Sequence, residues 1–293
     1  MSVVEKAIDK LRNVSGGPAE AIGSLSVIKA PEQAASPLKQ ASVRRITIDR
    51  DAVRLAGYLP ESGQDRRFAD EYRQIKRPLI AAAFGRVVAG ESSPRLVMMA
   101  SALPGDGKTF TSINLALSIA RERDTSVVLV DADVAKPHVS SIFGVGGEPG
   151  LLDLLGDPSL DPESLVIQTD VRGLSILPSG TRRDQATEML GSSRMSEVVE
   201  QILASDPRRL VLFDSSPLLL SSESLAVAGV AGQVVLVVRS GKTPRRAVLE
   251  ALDQLGEGKA VSLVLNQGSR ALTRGVYGYG DYGSYGDDAS VTG

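Results

Sequence analysis

Residues 95–114 read Arg-Leu-Val-Met-Met-Ala-Ser-Ala-Leu-Pro-Gly-Asp-Gly-Lys-Thr-Phe-Thr-Ser-Ile-Asn. The apolar run at 96–100 is typical of a buried parallel strand, and Ile113, Leu117 and Ala120 then recur at helical spacing. Between strand and helix lies a loop of small and turn-forming residues that ends in Gly-Lys-Thr. This order is that of a phosphate-binding loop, so the stretch predicts a nucleotide site.

Each position of this loop has a chemical reason. Gly105 and Gly107 allow backbone N–H groups to approach phosphate oxygens, and the N-terminus of the new helix adds positive potential. Lys108 is expected to reach the β- and γ-phosphates, and the Thr109 hydroxyl is expected to bind Mg²⁺. The alternative is a glycine-rich turn without a ligand, since Ala102 replaces the first glycine of the usual pattern. The predicted ATP contacts are Pro104, Gly105, Asp106, Gly107, Lys108, Thr109, Phe110 and Asn266.

Composition excludes several classes of protein. The 293 residues carry a formal net charge of −2, which gives no basic field for nucleic acid. Cysteine is absent, so disulfides, thiolate metal sites and cysteine nucleophiles are excluded. No apolar run approaches the roughly 20 residues of a membrane span. We expect a cytoplasmic protein whose membrane association, if any, comes through a partner.

The chain alternates between strand and helix patterns after residue 95. Apolar strands with little alternation indicate a sheet covered by helices on both faces. The predicted fold is therefore an α/β, doubly wound, mainly parallel sheet of the P-loop NTPase type. Strands are predicted at 96–100, 126–131, 209–214, 233–238 and 261–266, with weaker signals at 46–49 and 174–177. Helices are predicted at 66–84, 109–122, 194–204, 223–229 and 244–255.

Three segments follow from this pattern. Residues 1–45 predict a short amphipathic helix at 2–12 and a linker rich in Gly, Pro, Ala and Ser. Residues 46–266 form the predicted catalytic domain. Residues 267–293 are so rich in glycine that a flexible tail is expected.

Two further apolar strands end in carboxylates. Asp131 ends the strand at 126–131, with Asp133 two residues further on, and Asp214 ends the strand at 209–214. Carboxyl ends of parallel strands share one sheet edge, so these side chains are expected beside the phosphate loop. Asp131 and Asp214, with Thr109, are the predicted metal-proximal residues. Lys108, Asp131, Asp133 and Asp214 form the predicted catalytic set.

Two other features have a plain and a functional interpretation. The tail tyrosines either belong to a low-complexity segment that binds partners or RNA by stacking, or accept the phosphoryl group of ATP bound at the phosphate loop. Asp70, Arg73 and Lys76 share a charged face of the helix at 66–84, which is either a solvated surface or an oligomer interface. The predicted phosphoacceptors are Tyr277, Tyr279, Tyr282 and Tyr285.

Together these motifs resemble the bacterial tyrosine kinases of the polysaccharide co-polymerase type, most closely the exosortase-associated tyrosine autokinases. Ser101-Ala-Leu-Pro-Gly-Asp-Gly-Lys-Thr resembles their Walker A motif, Val128-Leu-Val-Asp-Ala-Asp their second Walker motif, and Leu212-Phe-Asp-Ser-Ser-Pro their Walker B motif. The resemblance implies autophosphorylation of tail tyrosines in trans, with ATP and Mg²⁺, in a ring-shaped homo-oligomer. It also implies control of exopolysaccharide synthesis, a Wzz-like membrane chain-length regulator as activator, a phosphotyrosine phosphatase and a position at the inner membrane.

The resemblance also bears on the charged helix. Asp70-Glu-Tyr-Arg-Gln-Ile-Lys76 is similar to the family's oligomerisation motif Glu-x-x-Arg-x-x-Arg, which favours the interface interpretation. Two alternatives stay open. A ParA/MinD-like positioning ATPase shares the aspartates, but those proteins carry a lysine where this chain has Leu103. A non-catalytic ATP-binding scaffold of a polysaccharide export complex is the other.

Overall fold

The computed structural model describes residues 44–61, 63–85 and 92–268. In these ranges the chain forms one eight-stranded sheet. Its strands are β1 (Arg45–Ile46), β2 (Leu96–Ser101), β3 (Ser126–Asp131), β4 (Ile167–Thr169), β5 (Leu174–Leu177), β6 (Arg209–Asp214), β7 (Gln233–Arg239) and β8 (Ala260–Asn266). The spatial order is β1-β4-β5-β3-β6-β2-β7-β8. The predicted N-terminal helix and linker lie outside the described residues, as do the four tail tyrosines.

The strands that carry the sequence motifs are adjacent in the sheet. β2 pairs in parallel with β6 on one side and with β7 on the other, and β6 pairs in parallel with β3. Only the pairing of β4 with β5 is antiparallel among the described strands. The mainly parallel sheet predicted from the sequence is therefore confirmed. The phosphate loop and the three aspartates at or just after the strand ends therefore lie at the same edge of the sheet, where the parallel strands have their carboxyl ends.

Helices cover both faces of this sheet. They are α1 (Arg50–Leu55), α2 (Asp65–Ala83), α3 (Lys108–Ile119), α4 (His138–Ile142), α5 (Leu151–Gly156), α6 (Pro162–Leu165), α7 (Ala186–Leu190), α8 (Ser193–Ala204), α9 (Ser222–Val230) and α10 (Arg245–Leu255), with a 3₁₀ turn at Leu218–Leu220. None of the helices within the described ranges is long and apolar enough to span a bilayer.

Two hydrophobic cores explain why the strands lack alternation. In β2, Leu96 and Met98 pack into the core beneath α8, α9 and α10, whereas Val97 and Met99 pack into the core beneath α2 and α3. All four side chains are buried. Because the central strands β2, β3 and β6 and most of β7 are covered on both faces, their positions favour apolar residues, whereas the edge strand β8 leaves Leu263 and Leu265 exposed.

The region 137–190, predicted to be irregular, contains α4 to α7 and β4 as well as the predicted β5. Each of these helices has only four to six residues, and β4 has three. Such short elements contain too few turns or pleats to produce a periodic pattern. The first strand also differs slightly, because β1 covers Arg45–Ile46 and not 46–49.

The structure corrects the prediction for Lys76. Its side chain does not share an exposed face with Asp70 and Arg73 but is buried. Its Nζ donates to the Ser118 carbonyl at 2.7 Å and pairs with Glu122 at 2.7 Å, at the C-terminal end of α3. A cation is favourable there because the last carbonyls of a helix lack intrahelical partners. Lys76 therefore joins α2 to the helix that begins at the phosphate loop.

Candidate active site

The phosphate loop connects β2 to α3 in a conformation that requires glycine. Gly105 and Gly107 have φ values of 81° and 94°, in the left-handed region that other L-residues rarely adopt. A Cβ on Gly107 would also lie 1.9 Å from Nδ2 of Asn266. This Nδ2 donates to the Asp106 carbonyl at 2.9 Å, so Asn266 contacts the loop directly.

Lys108 and Thr109 both contact the carboxylate at the end of β6. Lys108 Nζ lies 2.9 Å from Asp214 Oδ1, and Thr109 Oγ1 donates to Asp214 Oδ2 at 2.8 Å. Ser112, one helical turn after Lys108, donates to Asp214 Oδ1 at 2.8 Å. Asp214 is fully buried, and this set of one cation and two hydroxyls stabilises its charge. Sequence reasoning missed Ser112, although its i+4 spacing from Lys108 places it on the same helical face.

Asp131 lies beside Asp214, because β3 and β6 pair these two residues in register. Oδ2 of Asp131 accepts hydrogen bonds from the backbone N–H and the hydroxyl of Ser140, both at 2.7 Å. Oδ1 is buried and has no hydrogen-bond partner within the described part of the chain. Burial raises the pKa of Asp131 to about 7; the Ser140 bonds oppose this rise, and the carboxylates of Asp214 and Asp133 add to it.

Asp133 lies on the wall of the cavity that the phosphate loop borders. Its Oδ1 accepts hydrogen bonds from Ser216 Oγ at 2.9 Å and from the Lys136 N–H at 3.1 Å. The cavity has a volume of about 620 Å³, within the usual range for a small-molecule site. The structure thus brings the predicted residues of Walker A and the strand-end aspartates to one edge of the sheet. The residues that line the cavity include Tyr58, Pro104, Gly105, Asp106, Gly107, Lys108, Thr109, Phe110, Asp133, Lys136, His138, Ser216, Leu220 and Glu223.

The aromatic side of the site connects to α2. Phe110 contacts Phe68 edge-on, with ring centroids 6.0 Å apart. Tyr58 also lines the cavity, and its carbonyl accepts a hydrogen bond from Asn114 of α3 at 2.9 Å. The sequence alone did not indicate Tyr58, because it lies outside any recognisable motif and far along the chain from the loop.

Replacing Asp131 with Asn is expected to stabilise the ligand-free protein at pH 8. The folded-state pKa of Asp131 is about 7, above the ordinary value of 3.8. The neutral carboxyl group therefore contributes to the stability of the fold, and this contribution is fully present below about pH 4. This contribution is lost as the pH rises to about 7. We expect a gain of about 1–3 kcal/mol in the free energy of unfolding at pH 8, shrinking towards pH 5. Urea titrations in the presence of a chelator measure it.

Asp206→Asn is the matched control. Burial acts to raise the pKa of Asp206, but hydrogen bonds from Arg208 and Ser126 outweigh it and lower this pKa below its ordinary value. Its charged form therefore stabilises the fold above its ordinary pKa, and the substitution is expected to destabilise the protein at pH 8. A gain for Asp131→Asn that is equal at pH 5 and pH 8 would contradict the assignment of a costly buried charge.

These features define a class of protein: a P-loop nucleotide-binding protein with a doubly wound sheet. No family model matches the chain. It is, however, 30% identical over 213 residues to the tyrosine-protein kinase YwqD of Bacillus subtilis, covering 72% of this chain and 85% of that protein. It is 28% identical over 195 residues to the tyrosine-protein kinase CpsD of Streptococcus agalactiae, covering 66% and 82%. The chain belongs to the bacterial tyrosine kinase family.

Solved structures agree with this family. The kinase domain of VpsO is 29% identical and superimposes with a TM-score of 0.58, covering 72% of this chain and all of that one. The kinase domain of the Escherichia coli tyrosine kinase ETK is 25% identical with a TM-score of 0.58, covering 72% and 80%. Against longer relatives the chain spans a smaller part: about a quarter of the tyrosine-protein kinase Etk of Escherichia coli, at 31% identity over 62% of this chain.

The family assignment confirms the resemblance inferred from the motifs and favours a kinase over a ParA/MinD-like ATPase. The exosortase-associated branch stays a prediction. The individual roles of the site residues are predictions as well. The boundaries at residues 45 and 266 are likewise predictions.

Proposed function

We propose that this chain is an ATP-dependent protein-tyrosine autokinase that phosphorylates its own C-terminal tyrosines in trans. One observation carries the proposal: Lys108 and Thr109 of the phosphate loop converge on Asp214 beside Asp131, at the border of a cavity that Asp133 also lines. A cation, a hydroxyl and acidic groups in this arrangement suit the transfer of a phosphoryl group.

The chemistry needs little covalent participation by the protein. The tyrosine oxygen attacks the γ-phosphorus, the bond from that phosphorus to the β-phosphate oxygen breaks, and ADP leaves. Lys108 and the backbone N–H groups of the loop stabilise the negative charge on the phosphate oxygens. Since Lys108 Nζ donates to Asp214 in this structure, Asp214 holds the ammonium group in place for this role.

Asp133 is the proposed base. A free phenol has a pKa of about 10, so a carboxylate that accepts its proton during attack assists the reaction. Asp133 lines the cavity, and hydrogen bonds from Ser216 and Lys136 hold its Oδ1. The proton of the tyrosine hydroxyl passes to this carboxylate as the new phosphorus–oxygen bond forms.

The residues present fit Mg²⁺, which we propose as the cofactor. Oδ1 of Asp131 is a buried carboxylate oxygen with no hydrogen-bond partner among the residues that the structure describes, and Thr109 and Asp214 supply further oxygen atoms nearby. Within residues 44–61, 63–85 and 92–268, no group of three or more acidic or histidine side chains is positioned to hold a metal alone. Mg²⁺ usually takes one or two carboxylates together with substrate phosphates. When bound, it neutralises charge on the transferring phosphoryl group.

The biological setting is also a proposal. One relative, 29% identical over 68% of this chain and 25% of its own length, is the succinoglycan biosynthesis transport protein ExoP of Rhizobium meliloti. We infer that this chain regulates the synthesis or export of an exopolysaccharide at the inner membrane. Its activator would be the cytoplasmic segment of a Wzz-like chain-length regulator, and a phosphotyrosine phosphatase would reverse the modification.

A homo-oligomer, in the form of a ring, is part of the proposal. Asp70 and Arg73 pair with each other at 2.6 Å on α2, and both side chains are exposed, so a second copy can reach them. Arg73→Glu is expected to lower the mass measured by light scattering. The substitution replaces the cation of the proposed interface by a second negative charge, three residues from Asp70, and like charges at this spacing repel each other. An unchanged mass would remove this face from the interface.

Incubation of the purified protein with labelled ATP, followed by mass spectrometry of its C-terminal peptides, tests the proposal. Phosphotyrosine at Tyr277, Tyr279, Tyr282 or Tyr285 is the expected result. ATP binding without any transfer would support the scaffold alternative, and release of inorganic phosphate without phosphotyrosine would support a positioning ATPase. Mixing an inactive full-length acceptor with the active enzyme distinguishes transfer in trans from transfer in cis.

A further inference from the structure

A side chain outside every sequence motif contacts the phosphate loop. Thr243 lies in the turn between β7 and α10, and its hydroxyl donates to Oδ1 of Asp106 at 2.6 Å. Asp106 lies within the loop and is 4% exposed. Thr243, 137 positions further along the chain, therefore donates a hydrogen bond to the buried carboxylate of the phosphate loop.

The contact is part of a continuous hydrogen-bond chain. The Arg239 N–H donates to Thr243 Oγ1 at 2.9 Å, which orients the hydroxyl proton towards Asp106. The other oxygen of Asp106, Oδ2, accepts the Leu103 N–H at 3.2 Å, across the turn of the loop. The Asp106 carbonyl accepts Nδ2 of Asn266 at 2.9 Å. The loop is thus held by its own backbone, by the turn after β7 and by the end of β8.

We propose that Thr243 is a positioning residue for ATP binding: its hydroxyl holds Asp106, and thereby the backbone N–H groups of the phosphate loop, in the phosphate-binding conformation. Two physical effects support this role. A buried carboxylate oxygen that loses its donor must find another, which draws the loop away from its preorganised shape. The carboxylate also lies near the site of the negatively charged phosphates, and hydrogen bonds to both of its oxygens disperse its charge.

The inference rests on the proposed function, since it concerns the nucleotide of that reaction. Thr243→Val keeps the volume and branching of the side chain and removes only the hydroxyl. We expect the dissociation constant for a fluorescent non-hydrolysable ATP analogue to rise about tenfold, in the full-length protein with Mg²⁺. The KM for ATP should rise similarly while kcat changes less than threefold, because Thr243 does not touch the reacting atoms.

Two further variants separate positioning from a merely structural role. Thr243→Ser retains the hydroxyl and should bind the analogue within twofold of the wild type. In an Asp106→Ala background, Thr243→Val should have no additional effect on binding, because the acceptor is already absent. A purely structural role would lower the unfolding temperature of Thr243→Val without changing the dissociation constant.

Each outcome decides between the two proposals. Wild-type affinity in Thr243→Val, equal weakening in Thr243→Val and Thr243→Ser, or additive effects with Asp106→Ala would each overturn the positioning role and leave the kinase proposal intact. If the wild-type protein bound no analogue at all, the proposed function and this inference would fail together. Weakened binding in Thr243→Val alone, with rescue by Ser, supports the inference.

Discussion

Lys108→Met is expected to reduce tyrosine phosphorylation by at least about 10³-fold, because it removes the only cation of the phosphate loop. In the structure Lys108 is 7% exposed, and its Nζ pairs with the fully buried Asp214. Methionine retains the length and apolar character of the side chain but supplies no charge to the γ-phosphate. Quantitative mass spectrometry of the tail peptides after incubation with ATP measures the loss.

The fold of this variant needs a separate check. Removing Lys108 leaves Asp214 with two hydroxyl donors, Thr109 and Ser112, so the buried carboxylate is not isolated, although we expect some loss of stability. Lys108→Arg keeps a cation beside Asp214 and should preserve the fold better, yet its planar guanidinium is a poor substitute for the compact ammonium at this position. Circular dichroism and thermal unfolding monitor both variants.

Lys242→Met is the matched control for the loss of a lysine. Lys242 is exposed in the turn after β7, and its backbone N–H donates to the Arg239 carbonyl at 3.2 Å. Activity close to that of the wild type is expected. If Lys108→Met folds and still phosphorylates the tail at more than a tenth of the normal rate, the proposed role of the phosphate loop is wrong.

Replacing the four tail tyrosines with phenylalanine is expected to remove at least about nine-tenths of the phosphotyrosine and to leave ATP binding unchanged. Four of the chain's six tyrosines lie in the tail. Tyr72 is buried, and burial raises its pKa well above the usual range, so it is a poor acceptor. Phenylalanine retains the aromatic ring and removes only the oxygen that receives the phosphoryl group.

Restoring the tail tyrosines one at a time gives this experiment its resolution. Each single-tyrosine chain should regain labelling in proportion to how well that position reaches the site, and the order of modification follows from the rates. Equilibrium binding of an ATP analogue shows that the site itself is intact. Undiminished labelling in the variant without tail tyrosines would transfer the acceptor role elsewhere, with Tyr58 at the cavity the first position to map.

The major elements could be predicted because their signals are local. The strands β2, β3, β6, β7 and β8 and the helices α2, α3, α8, α9 and α10 agree closely with the predicted ranges. Long runs of apolar residues and several turns of helical spacing make such elements visible in a single sequence. The helices of four to six residues between 137 and 190 were missed because they contain fewer than two turns.

Lys76 shows where local patterns fail. Its helical spacing from Asp70 and Arg73 predicted a common charged face. The prediction was wrong for Lys76 because periodicity along α2 carries no information about which helix packs beside it. The structure places the end of α3 beside it, and the pairing with Ser118 and Glu122 outweighs exposure to water for this one lysine. A residue's face on a helix follows from sequence, but the partner covering that face does not.

The chain's own residue order determined the phosphate loop and the apolar strands that end in aspartates, because each of these depends on near neighbours in the sequence. The alternation of strands and helices along the chain also determined the mainly parallel sheet. Only the tertiary structure decided that Ser112 and Lys108 share Asp214, that Ser140 holds Asp131, and that Thr243 and Asn266 support Asp106. These contacts join positions from different strands and turns, and strand order and register set the distance between them.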